Sequence, residues 1–373
     1  MPGMKPRISL PRKVVVSILT LAVACACISA SAAEGKAGGV VITDQGTNLV
    51  IKIGGQLSSE YHYKNYTRPF LYPLIGPGNA PMSRNYPMKN VADEARDHPH
   101  HKSLWYGHGD VNGHDFWAEG AKSGKTLHVD FTEIKSGQEV GVIKSRNKLV
   151  AADGSVVCTD DRTIRVYNRT KDRIVDFEIT THASEGDVTL GDTKEGTMAI
   201  RLNESMRLLK PPAKGEKKAR PGDGHIVNSE GVRDANTWGK RAKWCDYYGP
   251  VDGKIVGLAI FDHPQNPRHP TWWHVRDYGL FAANPFGRHD FESLPDRKAG
   301  NLVIPKGQSA TFRYRFYFHE GDEKQAKVAE QYDEYVRTHV ARIDVLKPLH
   351  RENPAKMSRA ARNWLSLRTA ETK

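Results

Sequence analysis

The sequence contains few cysteines, and none of them stands in a metal-binding spacing. There are four cysteines among 373 residues. Cys25 and Cys27 fall within an apolar N-terminal segment, so Cys158 and Cys245 are the two that remain in the body of the chain. Without a Cys-x-x-Cys or a Cys/His finger pattern, a structural zinc site of the usual kind is disfavoured. The remaining pair permits one disulfide, and two buried free thiols are the equal alternative.

Long apolar runs are also missing, apart from one short segment at the N-terminus. Basic residues Lys5 to Lys13 precede the apolar run 14–28, and Ala30-Ser31-Ala32 follows it as an A-x-A cleavage site. This order predicts a signal peptide over residues 1–32 and a protein exported to the periplasm or the extracellular space. A transmembrane anchor is the rival interpretation, but the run is shorter than the roughly 20 residues that a span needs. After signal cleavage, no transmembrane anchor is expected.

Concentrated basic charge and nucleotide-binding motifs are absent too. The formal net charge is +12, and removing the leader's four basic residues, which have no acidic counterparts, leaves +8. Apart from residues 210–220 (KPPAKGEKKAR) and the C-terminal tail, these charges are scattered. They are not aligned on a helix or strand with interleaved aromatic residues, so nucleic acid is not an expected partner. The lack of GxGxxG, P-loop and GxSxG motifs disfavours dinucleotide, nucleoside triphosphate and serine-hydrolase chemistry.

Short apolar and β-branched runs separated by turn residues dominate the sequence. Residues 254–262 (KIVGLAIFD) predict a central strand, and residues 311–318 (TFRYRFYF) alternate as a half-buried strand does. Residues 323–346 carry an apolar stripe at helical spacing. We therefore predict an all-β fold, a large antiparallel β-sandwich with a C-terminal helix. Residues 33–346 would form one domain containing helix 323–346, and residues 347–373 a basic tail.

Five of the sixteen histidines lie between His98 and His114, in a segment rich in Gly, Pro and Asn. Histidine exchanges protons near neutral pH when a carboxylate positions it. A second segment with similar residue types runs over 262–287. The expected acid–base set combines three histidines with one carboxylate: His101, His108, His274 and Glu195.

Metal binding is an alternative use of the same histidines. In an extended chain, residues two apart face the same way, so His98 and His100 could hold one ion with His108 or Asp110 as a third ligand. The sequence requires no cofactor, but a transition metal such as copper or iron is compatible with this set. The corresponding function would be a metal-dependent oxygenase.

Flat aromatic faces and planar polar groups beside the histidines are typical of a sugar-binding cleft. The substrate-binding candidates are Arg84, Asp97, Trp105, Asn112, Lys194, Trp273, Arg276 and Asn284. A carbohydrate or another small-molecule substrate is therefore the expected partner. Binding without catalysis, as in a carbohydrate-binding module, is the third alternative.

Residues 84–117 (RNYPMKNVADEARDHPHHKSLWYGHGDVNGHDFW) resemble the signature of an exported bacterial family labelled methane oxygenase PmoA. Residues 190–202, 244–287 and 314–322 are similar to its later blocks, and the likeness covers roughly residues 50–340. The resemblance implies a β-sandwich of the mutarotase-like supersandwich type and a setting of sugar breakdown. The particulate methane monooxygenase subunit spans the membrane several times, whereas this chain has no span after its leader. The label therefore does not predict an oxygenase, and an enzyme acting on carbohydrate is the leading hypothesis.

Overall fold

The described part of the chain contains twenty strands. The structure, a computed structural model, describes residues 38–212 and 215–346, together with Gly3. The predicted leader and the predicted tail lie outside these residues. The strands are β1 (Val40–Asp44), β2 (Asn48–Ile53), β3 (Gln56–His62), β4 (Phe70–Leu74), β5 (Leu104–His108), β6 (Lys125–Lys135), β7 (Val140–Val150), β8 (Val156–Tyr167), β9 (Arg173–His182), β10 (Val188–Leu190), β11 (Gly196–Arg201), β12 (Leu209–Lys210), β13 (Arg220–Pro221), β14 (His225–Asn228), β15 (Trp244–Val251), β16 (Lys254–Asp262), β17 (Trp272–Val275), β18 (Leu280–Asn284), β19 (Leu302–Ile304) and β20 (Ser309–Glu320).

Two eight-stranded antiparallel sheets pack face to face. The first sheet has the order β1-β2-β3-β4-β5-β11-β18-β17, and the second has the order β14-β15-β16-β20-β9-β8-β7-β6. Two further pairs, β10 with β19 and β12 with β13, form small ribbons. Apolar side chains from the inner faces of both large sheets form one core between them. The prediction of a large antiparallel β-sandwich is confirmed.

Sequence alternation explains why the strands bury one face. On β20, Phe312, Tyr314, Phe316 and Phe318 point into the core between the sheets, as their period of two predicts. Tyr317 points to the opposite face, where it packs in a second apolar cluster. The predicted central strand 254–262 is β16, which is paired on both sides by β15 and β20.

The second sheet carries the C-terminal helix on its outer face. Besides the short helix α1 (Arg288–Phe291), the structure has α2 (Val328–Leu346). Val328, Tyr332 and Tyr335 of α2 bury their side chains against that sheet. The helix begins five residues later than predicted, because the Asp322 carboxylate accepts the backbone N–H groups of residues 324 and 325 and holds a turn there. No helix in the described ranges is long and apolar enough to cross a membrane.

The two cysteines of the body are free thiols in separate core positions. Cys158 lies on β8 and Cys245 on β15, and both are fully buried. Burial raises the pKa of the Cys158 thiol to about 12, with the nearby Asp160 carboxylate adding to the effect. Of the two alternatives that the sequence left open, buried free thiols are therefore the one observed.

Candidate functional site

The candidate site lies on the outer face of the first sheet, the face turned away from the second sheet. Strand alternation decides which residues reach it: on β5, Leu104 and Tyr106 enter the inter-sheet core, whereas Trp105 points outward. The strand register then aligns one row across five strands, which consists of Phe70, Trp105, Ala199, Ala282 and His274. The predicted segments 97–117 and 262–287 thus contribute to one face, and they do so largely as neighbouring strands of one sheet.

A long irregular segment, residues 84–103, covers this outer face, and its Met88 packs on the outer apolar cluster; we call it the covering segment. Strands β5, β11, β17 and β18 are buried along their whole length, whereas one face of an antiparallel sheet is often solvated. The covering segment is held down by Arg84, whose guanidinium donates to the backbone carbonyls of Tyr86, Ala95 and His98. Arg84 itself has no exposed surface. The predicted ligand contact of Arg84 is therefore corrected: this side chain anchors the loop.

Asp97 is the acidic centre of the covering segment. Its carboxylate accepts hydrogen bonds from Arg84 Nη1 at 2.5 Å and from Arg201 Nη2 at 2.9 Å, and both guanidinium groups are fully buried. Burial alone would raise the pKa of Asp97. The hydrogen bond with His98 and the two guanidinium charges outweigh burial and hold that pKa well below its usual range. Asp97 is therefore ionised throughout the neutral range and is committed to these partners.

Four aromatic rings form a continuous stack from the surface into the outer apolar cluster. Tyr278 stacks on His98 with ring centroids 5.3 Å apart, and His98 stacks on His101 at 4.7 Å. His101 in turn stacks on Trp105 at 5.2 Å. His98 and Tyr278 are the accessible end of the stack, whereas His101 and Trp105 are buried. Trp105 thus supports the stack from below and does not reach solvent.

His101 is held as a neutral imidazole. Arg201 Nη1 lies 3.3 Å from His101 Nδ1, and because a guanidinium can only donate, Nδ1 accepts and Nε2 carries the proton. Burial, together with the positive charges of neighbouring groups, keeps the pKa of His101 far below the usual histidine value. His101 therefore cannot supply a proton at neutral pH, which is the role that the sequence predicted for it.

His274 is the second neutral imidazole on this face. Its Nδ1 accepts a hydrogen bond of 3.1 Å from the indole N–H of Trp238. This contact leaves the proton on Nε2. Burial, reinforced by the positive charges of Arg276 and Lys194, lowers the pKa of His274 to about 3. At neutral pH, His274 is thus a hydrogen-bond donor through Nε2–H and not an acid.

Glu195 supplies the one carboxylate of the predicted acid–base set. It ends the turn before β11, and its side chain is 41% exposed. Partial burial raises the pKa of Glu195, and the positive charge of Lys194, whose Nζ lies 3.9 Å away, opposes that rise. Within residues 38–212 and 215–346, no group donates a hydrogen bond to this carboxylate. Glu195 is therefore free to accept or deliver a proton.

We call the accessible part of this face the rim. Its members lie close enough to interact electrostatically. The Glu195 carboxyl interacts with the charges of Lys194 and His98, and the Tyr278 hydroxyl interacts with those of Glu195 and Asp97. The Arg276 guanidinium lies 5.5 Å from the Tyr278 ring centroid and 6.0 Å from that of Trp238. The rim consists of Asp97, His98, Lys194, Glu195, Trp238, Arg276 and Tyr278.

His108 does not belong to the rim, contrary to prediction. It is three residues after Trp105 on the same strand, so it falls on the inner face of the sheet. There it contacts Phe286 of the core at 4.7 Å, and its Nε2 lies 2.9 Å from the carbonyl oxygen of Gly191. Burial lowers the pKa of His108 to about 4. We correct its role from proton transfer to packing.

The predicted metal-ligand set is not assembled either. His98 has a positive φ of 46°, and the N–H of His101 bonds back to its carbonyl, so the chain turns here and is not extended. His98 consequently stacks on His101, while His108 lies on the other side of the sheet. In the part of the chain that the structure describes, no group of three or more His, Cys, Asp or Glu side chains is arranged to hold a metal ion.

Three further predicted substrate contacts serve the fold. Trp273 points into the inter-sheet core, where its indole N–H donates to the carbonyl of Ala242. The Asn284 amide is fully buried and donates to the carbonyls of residues 193 and 194, so it positions the turn that carries Glu195. Asn112 is exposed in a separate turn and bonds to the backbone of residues 187 and 189. Of the predicted binding residues, Asp97, Lys194 and Arg276 lie on the rim.

Sequence reasoning missed Trp238, Tyr278 and Arg201. Arg276 and Tyr278 are two residues apart, a spacing that could have suggested a shared surface. Arg201 follows Ala199 by two residues on β11 and so shares its outward face. Trp238 reaches the rim from a loop whose residues 239 and 240 bond to the backbone of Trp273 on edge strand β17. Only the tertiary structure shows that pairing.

Comparison with known proteins gives a family and distant structural likenesses. A model described as a family of unknown function, DUF6807, matches residues 48–333. No curated protein matches the chain significantly. Among solved structures, a galactose mutarotase related enzyme from Lactobacillus acidophilus has 9% identity and a TM-score of 0.30, over 76% of this chain and 97% of that one.

Two longer proteins resemble the chain over part of their length. A Glycoside Hydrolase Family 97 enzyme from Pseudoalteromonas sp. strain K8 has 11% identity and a TM-score of 0.29, over 76% of this chain and 34% of that one. An alpha-galactosidase from Lactobacillus brevis has 7% identity and a TM-score of 0.33, over 77% of this chain and 40% of that one. The chain therefore corresponds to less than half of each of these two proteins.

Proposed function

The chain belongs to the family of unknown function DUF6807, and from that premise we propose that it is a carbohydrate-active enzyme whose chemistry is proton transfer by Glu195. The observation that carries the proposal is the free Glu195 carboxylate beside accessible aromatic rings. Its pKa is raised by burial, and Lys194 is the one cation within 4 Å of it in the described residues. Groups with perturbed pKa values cluster at functional sites.

The rim provides the surfaces that a sugar ring needs. The exposed parts of the half-buried Trp238 and Tyr278 rings offer apolar surface for the C–H side of a pyranose. His274 Nε2–H offers a neutral donor, which can polarise a carbonyl or hydroxyl oxygen without adding charge. Asp97 and the buried arginines keep the covering segment in one conformation, so these groups are held in place before a ligand binds.

The arrangement favours isomerisation or elimination over glycoside hydrolysis. Hydrolysis commonly uses two free carboxylates flanking the scissile bond. The carboxyl groups of Asp115 and Asp290 act on Glu195 electrostatically, but both are engaged. Asp115 accepts the backbone N–H groups of residues 117 and 118, and Asp290 accepts that of Lys194. One unengaged base suits a reaction that moves a proton on a single sugar.

The test replaces Glu195 by glutamine. A panel of reducing sugars and oligosaccharides is screened by saturation-transfer NMR, and turnover is followed by proton NMR in the same samples. E195Q should bind the sugars that the wild type binds but convert them at least about 100-fold more slowly, as expected for loss of a general acid–base group. Unchanged turnover in E195Q, or failure of any sugar to bind the wild type, would overturn the proposal.

A matched control is E185Q, the same substitution at an exposed glutamate in the turn between β9 and β10. It should leave both binding and turnover as in the wild type. If E185Q also loses turnover, the effect of E195Q cannot be assigned to the rim.

We also propose that the protein works outside the cytoplasm. The support is the order of basic residues, apolar run and A-x-A site in residues 1–32, together with the resemblance to an exported family. In a bacterial host, mass spectrometry of the secreted or periplasmic fraction should find a chain beginning near Ala33. An uncleaved chain confined to the cytoplasm would refute this proposal.

A further inference from the structure

Arg276 is a cation of the rim whose charge the protein does not neutralise. It follows β17 directly, and its backbone N–H donates to the carbonyl of Leu280 at 2.7 Å, which fixes its position. Its half-buried guanidinium lies over the rings of both Trp238 and Tyr278. In the described chain, no carboxylate pairs with it and no acceptor takes a hydrogen bond from its side chain.

The other arginines of this face differ from Arg276 in that respect. Arg84 and Arg201 share the Asp97 carboxylate, and Arg207 binds Glu204 at 2.7 Å. Asp277 is next to Arg276 along the chain, but its carboxylate acts on Tyr247 in the inter-sheet core. Arg276 is therefore left with five guanidinium donors and no acidic partner of its own.

A partly buried guanidinium without hydrogen-bond partners is costly, because no hydrogen bond offsets its desolvation. Its planar fork matches a carboxylate with two parallel hydrogen bonds. The exposed parts of the Trp238 and Tyr278 rings, both of which the guanidinium overlies, would contact an apolar body attached to that carboxylate. The rim thus offers one anion-binding group next to a surface suited to a sugar ring.

We propose that the substrate is a carbohydrate bearing a carboxylate, a uronic acid residue, and that Arg276 binds this carboxylate. The inference rests on the proposed function and narrows its substrate class. Lys194 adds a second positive charge near His274, and this charge also favours a negatively charged ligand. Glu195, whose charge acts on the Tyr278 hydroxyl, is the group that would act on the sugar.

The test uses matched sugar pairs that differ at C6 alone: galacturonate with galactose, glucuronate with glucose, and oligogalacturonides with galacto-oligosaccharides. Isothermal titration calorimetry of the full-length protein gives the Kd of each member. The wild type should bind the acidic member of the preferred pair about tenfold or more tightly, as one charge-assisted pair of hydrogen bonds predicts. In R276Q, this preference should vanish, so that both members bind alike.

R241Q is the control. Arg241 also lies over an indole ring, that of Trp272 at 4.4 Å, but its guanidinium donates to the carbonyls of Arg268 and Pro270. R241Q should keep the preference for the acidic sugar. Equal Kd values within every pair in the wild type, or a preference that survives in R276Q, would overturn the inference. Neutral sugars that bind and turn over in a Glu195-dependent way would then still support the proposed function, whereas absence of any sugar binding would refute both.

Discussion

Asp97→Asn is the substitution that most sharply tests how the covering segment is held. Asparagine keeps the size of the side chain but removes the negative charge that two buried guanidinium groups share. Removing one partner of a buried ion pair lowers the free energy of unfolding by about 3–5 kcal/mol. Asp97 is 38% exposed, so solvent screens part of this interaction, and Arg201 keeps Glu204 at 3.7 Å. We therefore expect a loss of about 2 kcal/mol in the free energy of unfolding.

The pH dependence of this loss follows from the direction of the pKa shift. The pKa of Asp97 is lower in the folded than in the unfolded protein. Its ionised form therefore stabilises the fold fully above the ordinary carboxyl pKa of about 4, and this contribution falls as the pH drops below that value. The difference between wild type and D97N should be constant from pH 7 to pH 5 and should shrink below pH 4.

Urea denaturation followed by tryptophan fluorescence measures this difference, since the buried Trp105 and Trp117 lie in the cluster beneath the segment. D252N is the control, because Asp252 is exposed in the turn between β15 and β16 and asparagine tolerates its positive φ of 49°. The control should change stability by less than about 0.5 kcal/mol. A D97N protein as stable as D252N at pH 7 would show that the ion pairs of Asp97 with Arg84 and Arg201 do not stabilise the covering segment.

Two further substitutions separate the rim from the core. Trp238→Phe keeps an aromatic ring but removes the N–H that donates to His274 Nδ1. We expect kcat to fall by about tenfold, which corresponds to the free energy of one hydrogen bond, with KM and Tm nearly unchanged. An unaltered kcat would show that this contact does not position the imidazole. His108→Ala removes a buried ring from the core side of the first sheet. We expect His108→Ala to lower the free energy of unfolding by about 2 kcal/mol, while the folded protein keeps its turnover. Lost turnover at unchanged Tm would contradict a structural role for His108.

Most of the scaffold could be predicted because alternation in the sequence reflects burial directly. The period of two in residues 311–318 and the apolar run 254–262 both correspond to observed strands. The helix was placed correctly except for its first turn, where a side-chain hydrogen bond to Asp322 competes with the helical pattern. Local patterns of this kind need no knowledge of distant residues.

The candidate site was harder to predict because it depends on which face each residue reaches. Trp272 and Trp273 are adjacent, yet one lies on the outer face and the other in the core. His98 and His100 do lie side by side, with ring centroids 5.7 Å apart, but a turn at His98 brings them together and His108 lies on the opposite face of the sheet. The sequence identified Glu195, His274 and Arg276 by residue type. Their assembly depends on the register of β11 against the β17–β18 hairpin, which lies some distance further along the sequence.

A crystal structure of E195Q soaked with an oligogalacturonide tests the central claim most directly. We predict density for a sugar ring against Trp238 and Tyr278, with its carboxylate on the Arg276 guanidinium. The amide introduced by the substitution should lie within hydrogen-bond reach of the same ring. A sugar bound elsewhere on the molecule, with the rim left empty at saturating ligand, would contradict the account.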